Sequence, residues 1–360
     1  MSALTARIAE EIAASGPITV ARFMEMALTE PELGYYMTRY PFGAAGDFTT
    51  APEISQMFGE IIGLWSAVTW ETMGRPEPFI LAELGPGRGT LMADALRAAR
   101  IRPGFVEAAR PHLVETSPRL RARQQAALAD YRPAWHARFE DLPPGPIILI
   151  ANEFFDALPV LQFVRKGAAW HERRVAYAVD DNRFRFVIDH DAASRDDLPA
   201  AATDDSIVEV GEAGIALATA IGTRVAKHGG VALVVDYGHA AGGTGETLQA
   251  LRDKKYADPL SEPGAADITA HVDFAALARA AGEAGAACFG PVSQAWFLSS
   301  LGIVQRAERL ARGGEPGTRA DVEAALKRLI APSEMGNLFK VLAIANPRLG
   351  PPAGFEPGVL

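Results

Sequence analysis

The fold is decided by the stretch Ile80-Leu81-Ala82-Glu83-Leu84-Gly85-Pro86-Gly87-Arg88-Gly89-Thr90-Leu91. Its mostly apolar first half predicts a buried strand, and the residues from Leu91 to Arg100 predict a helix. Glycine has no Cβ, so three alternate glycines between strand and helix allow a ligand to lie directly against the main chain. Turns of this kind hold nucleotide-like molecules in many α/β proteins, and we expect the same here.

The composition is that of a globular protein, with 360 residues, 49% of them hydrophobic. This length predicts one large domain with additions, or two domains. The formal net charge of −9 argues against nucleic-acid binding, which needs concentrated Lys and Arg. No apolar run approaches the roughly 18 residues that would predict a membrane span.

One cysteine, Cys288, is present in the whole chain. It cannot form an intrachain disulfide or a cysteine-only metal site, and we expect no metal. A reducing, cytoplasmic location is the prediction that follows. The first residues carry Glu10 and Glu11 and lack a continuous apolar core, so no signal peptide is expected.

Strands and helices alternate beyond the glycine turn, and further strands are predicted at 112–115, near 135, at 147–153 and at 231–238. This alternation predicts an α/β fold with a doubly wound, mostly parallel sheet. The predicted organisation is an N-terminal helical segment with a substrate-side loop (1–76), a core (77–160 with 229–345), an inserted antiparallel β-meander plus helix (161–228), and a flexible tail (346–360). Added helices are expected in the C-terminal part.

Polar side chains occupy the ends of successive predicted strands: Glu83, Glu115, Asn152, Glu153 and Asp156. Because the carboxyl ends of parallel strands meet at one edge of a sheet, we expect these side chains at the ligand edge. A carboxylate in the position of Glu115 can accept hydrogen bonds from both ribose hydroxyls. That feature alone does not distinguish NAD from S-adenosylmethionine.

The glycine spacing separates the candidate ligands. A dinucleotide turn requires a small third residue where Thr90 stands, and a P-loop requires a lysine that is missing. The form E-L-G-P-G-R-G instead resembles the first motif of class I (Rossmann-like) S-adenosylmethionine-dependent methyltransferases. The resemblance implies cofactor binding by Glu83, Gly85, Gly87, Gly89, Thr90, Glu115 and Asn152. An acid that reads adenine is expected just before Leu142-Pro143, where Glu140 or Asp141 could serve.

Longer stretches narrow the family. Residues 46–59, 83–90, 151–159, 236–239, 267–274 and 335–342 resemble the MidA-like methyltransferases, a family that includes the mitochondrial protein arginine methyltransferase assisting respiratory complex I assembly. The resemblance implies symmetric dimethylation of an arginine on a complex I subunit. Carboxylates would orient the guanidinium and accept its proton. The catalytic candidates are Glu153, Asp156, Asn152, Glu53 and Asp47.

Two alternatives remain open at this point. An assembly chaperone that binds the cofactor without catalysis would use the aromatic side chains Trp170, Phe184 and Phe186 of the meander to grip its partner. A small-molecule methyltransferase fits the same core motifs. Asp156 could also simply cap a turn and Asn152 brace the loop, and a homodimer is left open.

Overall fold

The structure, a computed structural model, describes residues 2–39, 49–313 and 316–356. Its helices in chain order are α1 (Ala3–Ser15), α2 (Val20–Thr29), α3 (Tyr35–Thr38), α4 (Ala51–Ile54), α5 (Gln56–Thr72), α6 (Thr90–Ala99), α7 (Phe105–Ala108), α8 (Pro118–Ala127), α9 (Glu212–His228), α10 (Phe274–Glu283), α11 (Gln294–Ser300), α12 (Ile303–Gly313), α13 (Pro316–Ile330) and α14 (Met335–Leu338). Its strands are β1 (Ile18–Thr19), β2 (Phe79–Leu84), β3 (Ala109–Val114), β4 (Ala134–His136), β5 (Ile147–Asn152), β6 (Leu161–Lys166), β7 (Ala169–Ala178), β8 (Arg183–Ala192), β9 (Ile207–Val210), β10 (Gly230–His239), β11 (Gln249–Arg252), β12 (Lys255–Ala257), β13 (Asp267–Thr269), β14 (Val272–Asp273), β15 (Ala287–Ser293) and β16 (Phe339–Ala345).

The described residues form two compact units. The core unit contains 49–155, 216–240, 274–313 and 316–356, and the insertion unit contains 2–39, 156–215 and 241–273. These units divide the chain at other points than the boundaries predicted at 76, 160 and 228.

The core unit is built on a sheet with the strand order β15-β16-β10-β5-β2-β3-β4. Strands β10, β5, β2, β3 and β4 run parallel to one another. This confirms the predicted doubly wound sheet. Strand β16 is antiparallel to both β10 and β15, and this pair of added strands was not anticipated. Every residue of β2 and of β5 is buried, as expected of central strands covered on both faces.

Helix contacts explain why the core unit is larger than the predicted core. Helix α5 packs so closely on α6 that a Cβ at Gly63 would lie 2.3 Å from the main-chain oxygen of Ala95. Helix α9 is tied to the same unit by the Asn346 amide, which donates to the carbonyl of Val225 at 2.8 Å. Residues 49–76 and most of α9 therefore belong with the central sheet and not with separate N-terminal or inserted domains.

The C-terminal segment is packed as far as it is described, so the predicted flexible tail is wrong for residues 346–356. The indole nitrogen of Trp65 donates to the carbonyl of Ala353 at 3.1 Å. Phe355 is buried, with its ring centroid 5.4 Å from that of Phe297. The adjacent prolines Pro351 and Pro352 suggested a loose end, but the buried aromatic side chain determines the structure of this segment.

The insertion unit contains the predicted antiparallel meander, formed by β6, β7 and β8, within a five-stranded sheet that also includes β1 and β9. The meander aromatics do not offer a gripping surface: Trp170 and Phe184 are buried, and the guanidinium of Arg173 lies 3.7 Å from the centroid of the Phe186 ring. They serve the unit's own core. No helix in the described part of the chain is long and apolar enough to cross a membrane.

The packing of Phe355 predicts a measurable contribution to stability. We expect Phe355→Ala to lower the free energy of unfolding by about 3 kcal/mol, because a buried aromatic ring is lost and a cavity remains. Chemical denaturation followed by circular dichroism measures this change. Glu356→Ala, at an exposed neighbouring position, is the control, and equal stability of the two variants would contradict the packing.

Candidate active site

The glycine turn between β2 and α6 has three residues with positive φ: Gly85 at 58°, Gly87 at 52° and Gly89 at 81°. A Cβ on Gly85 would lie 2.7 Å from a ring carbon of Phe154. Left-handed backbone and close approach of this kind both select glycine. The turn therefore brings main-chain atoms without side-chain cover of their own to the carboxyl end of the central strand, where ligands of doubly wound sheets bind.

Glu53, from the short helix α4, holds the glycine turn. Its carboxylate accepts a hydrogen bond from the Thr90 hydroxyl at 2.7 Å and an ion-paired one from the Arg88 guanidinium at 2.8 Å. Glu53 was predicted as catalytic and Thr90 as a cofactor contact. The structure brings both to the turn and shows them bonded to each other.

Glu83 is a buried carboxylate at the end of β2. Burial raises the pKa of this carboxyl group to about 8, against a smaller lowering by the Met92 main-chain N–H. Its Oε2 atom has no hydrogen-bond partner among the described residues. A buried carboxylate oxygen without a partner at a ligand edge fits the ammonium group of an amino acid.

Glu115 follows β3 and is also buried. One of its carboxylate oxygens accepts the main-chain N–H of Ser117 at 2.8 Å, and the other accepts the side-chain amide of Gln124 at 3.1 Å. Burial raises the pKa of the Glu115 carboxyl group, and these hydrogen bonds oppose the shift. The carboxylate is thus held in one orientation, as a group that accepts hydrogen bonds from ribose hydroxyls would need to be.

Asn152 ends β5, and Glu153 follows it directly. The Asn152 amide donates to Glu153 Oε1 at 3.2 Å, while its own oxygen is buried without a partner in the described residues. Glu153 has a positive φ of 49°, which is uncommon for a residue with a side chain. Its Oε1 accepts the main-chain N–H of Ala51 at 2.8 Å, so Glu153 connects β5 to α4.

Asp236 fixes the residues that follow Glu153 and was not predicted to have a role. Its carboxylate accepts the main-chain N–H groups of Phe154 (3.1 Å), Phe155 (2.9 Å) and Tyr237 (2.9 Å). The sequence signal was an acid inside the apolar run of β10, which indicates a buried carboxylate that needs several donors.

Asp156, Asp47 and the two candidates for the adenine contact are the remaining predicted residues. Asp156 is buried in the insertion unit, where the hydroxyl of Tyr36 donates to Asp267 at 2.7 Å. Burial first, then the charges of Asp267 and Asp156, raise the pKa of Tyr36. Asp47 lies outside the described residues. Of the two adenine candidates, Asp141 accepts the main-chain N–H of Arg138 at 3.1 Å, and the adenine contact stays a prediction.

Comparison with known proteins identifies the ligand class. A family model described as "Putative S-adenosyl-L-methionine-dependent methyltransferase" matches residues 61–292. The chain belongs to this methyltransferase family. It is 37% identical to "Protein arginine methyltransferase NDUFAF7, mitochondrial" of Danio rerio, over 94% of this chain and 86% of the relative. The human protein of the same name is 35% identical, over 93% of this chain and 81% of the relative.

The solved structures agree. A crystal structure of a Burkholderia thailandensis protein bound to S-adenosyl-homocysteine has a TM-score of 0.86 and 28% identity, covering 99% of this chain and 95% of that one. A native structure of a Burkholderia thailandensis protein has a TM-score of 0.85 and 29% identity. The chain is therefore an S-adenosylmethionine-dependent methyltransferase. The unpartnered oxygens of Glu83 and Asn152 and the left-handed glycine backbone of the turn fit this cofactor.

The expectation of a cytoplasmic location is contradicted. The curated relatives that match 93–95% of this chain are named as mitochondrial proteins in Danio rerio, Drosophila melanogaster and Homo sapiens. A low cysteine content reports a reducing environment, and that property does not separate one reducing compartment from another.

The burial of Glu83 predicts that cofactor binding depends on pH. Without ligand the carboxyl group is protonated below about pH 8, whereas a bound ammonium group favours its ionised form. Binding must therefore release a proton below this pH, and affinity for S-adenosyl-homocysteine should fall by up to about tenfold per pH unit between pH 8 and 6. Isothermal titration calorimetry in buffers of different ionisation enthalpy measures both effects.

Glu83→Gln should bind more weakly and lose the pH dependence, while Glu107→Gln, at an exposed carboxylate, should behave like the wild type. An affinity of the wild-type protein that is constant from pH 6 to 8 would show that Glu83 does not face the ammonium group.

Proposed function

We propose that this methyltransferase is a protein arginine N-methyltransferase that forms symmetric dimethylarginine on a subunit of respiratory complex I. The observation that carries the proposal is the pair of carboxylates Glu53 and Glu153. Glu53 accepts a hydrogen bond from Thr90 at the glycine turn, and Glu153 accepts one from the main-chain N–H of Ala51, in the same helix as Glu53. The arginine substrate is suggested by the relatives named protein arginine methyltransferase. The choice of a complex I subunit as the substrate rests on the resemblance of the sequence motifs to the MidA-like family.

Carboxylates suit a guanidinium because its planar fork of N–H donors matches their two oxygens. The contact of Arg88 with Glu53 supports this choice, since a guanidinium nitrogen already lies 2.8 Å from that carboxylate. In the proposal Glu153 orients the substrate and accepts its proton, and Asn152 orients Glu153. Asp156, Glu53 and Asp47 are the other members of the proposed catalytic set.

Bound S-adenosylmethionine supplies an electrophilic methyl group on a sulfonium. The lone pair of the substrate nitrogen forms the new C–N bond as the S–C bond breaks, and the nitrogen then loses a proton. The residues of this chain position the nitrogen behind the methyl group and remove that proton. Main-chain N–H groups held by Asp236 keep the segment after Glu153 in place.

The chaperone alternative loses its main support because Trp170 and Phe184 are buried in the insertion unit. No contact among the described residues favours a small-molecule substrate over a protein. Arginine methylation is therefore the activity that we test.

The test is incubation of the protein with S-adenosylmethionine and purified complex I subunits, followed by mass spectrometry of arginine-containing peptides. We expect symmetric dimethylarginine on one subunit. Glu153→Gln keeps an oxygen that can accept the Ala51 N–H but removes the charge, so the rate should fall about a hundredfold while affinity for S-adenosyl-homocysteine is retained.

Glu107→Gln is again the matched control, since Glu107 is exposed. Methylation of another residue type, or none with the cofactor bound, would overturn the arginine substrate. A Glu153→Gln variant as fast as the wild type would remove Glu153 from the catalytic set.

A further inference from the structure

Gln124 connects the two halves of the cofactor site, although nothing in its sequence context singled it out. It lies on α8 and is fully buried. Its side-chain nitrogen donates to the carbonyl of Gly87 at 2.8 Å and to the Glu115 carboxylate at 3.1 Å. One amide group therefore bonds both to the turn that faces the amino acid part of the cofactor and to the acid assigned to the ribose.

The orientation of this amide is determined by a third contact. The indole nitrogen of Trp135 lies 2.9 Å from Gln124 Oε1. Because an indole N–H can only donate, the atom facing Trp135 must be the amide oxygen, and both amide hydrogens then point to Gly87 and Glu115. The two amide hydrogens and the amide oxygen of Gln124 thus each have a hydrogen-bond partner, as a buried amide requires.

Main-chain packing supports the same arrangement. A Cβ at Gly89 would lie 3.3 Å from the Cα of Gln124, so α8 approaches the end of the glycine turn closely. A substitution at 124 thus changes hydrogen bonding at a place where the backbone of α8 and the turn are already in contact.

We propose that Gln124 is a positioning residue for S-adenosylmethionine that fixes the glycine turn and the ribose-binding carboxylate relative to each other. Removal of its amide leaves the Gly87 carbonyl without this donor and lets the Glu115 carboxylate rotate. Both changes weaken binding of a ligand that spans the two groups. The inference depends on the cofactor and not on the proposed arginine substrate.

The experiment measures affinities of the full-length protein for S-adenosyl-homocysteine and for adenosine by calorimetry, at a temperature well below unfolding. Gln124→Met keeps the length of the side chain and removes its hydrogen bonds. We expect the dissociation constant for S-adenosyl-homocysteine to rise about tenfold, from the loss of two hydrogen bonds. The affinity for adenosine, which lacks the amino acid part, should fall less. The control is Gln125→Met, at the neighbouring exposed position, and we expect it to leave the affinity unchanged.

A double-mutant cycle separates positioning from general stability. Trp135→Phe removes the donor that orients the amide, and we expect about a threefold loss in the wild-type background. In the Gln124→Met background the same change should have no further effect on affinity, because Trp135 acts through the amide. Additive losses, or a Gln124→Met variant that binds S-adenosyl-homocysteine as the wild type does, would overturn the proposal. Neither result would bear on the arginine substrate.

Discussion

The positive φ angles of the glycine turn are the constraint on which the site depends. Such a turn lets a ligand approach the main chain, but its three glycines have no side chains to hold its shape. Three other segments supply them: Glu53 bonds to its far end, Gln124 bonds to its middle carbonyl, and the ring of Phe154 packs on Gly85. The backbone of the turn is therefore held in place by side chains distant in sequence.

These contacts form a closed ring. From the turn, the Thr90 hydroxyl leads to Glu53 on α4, and the first residue of α4, Ala51, bonds to Glu153. Phe154 follows Glu153 and returns to the turn at Gly85. Helix α4 and the end of β5 are thus held by the same groups that shape the glycine turn. The strained φ of Glu153 is tolerated because its carboxylate and the next residues are fixed on both sides.

The sequence predicted the parts of this arrangement that depend on local pattern. Apolar runs and turn chemistry identified the parallel strands, and strand-end acids identified Glu83, Glu115 and Glu153 as neighbours at one edge of the sheet. Contacts between residues far apart in the sequence could not be predicted. Gln124 stands among arginines and alanines on α8, and only the fold brings it beneath Gly87. The order of the tail, similarly, depends on a pocket for Phe355 that no local pattern describes.

Two buried acids at the edge of the sheet would couple binding of the cofactor to the stability of the protein. Glu83 and Glu115 lie at the ends of neighbouring parallel strands, and burial raises the pKa of both. Holding such groups away from water costs stability in the ligand-free protein. A ligand that offers an ammonium group to one and hydroxyl donors to the other removes part of that cost, so its binding energy also stabilises the sheet edge. The acids that we expect to bind the cofactor therefore link its binding to the stability of the folded site.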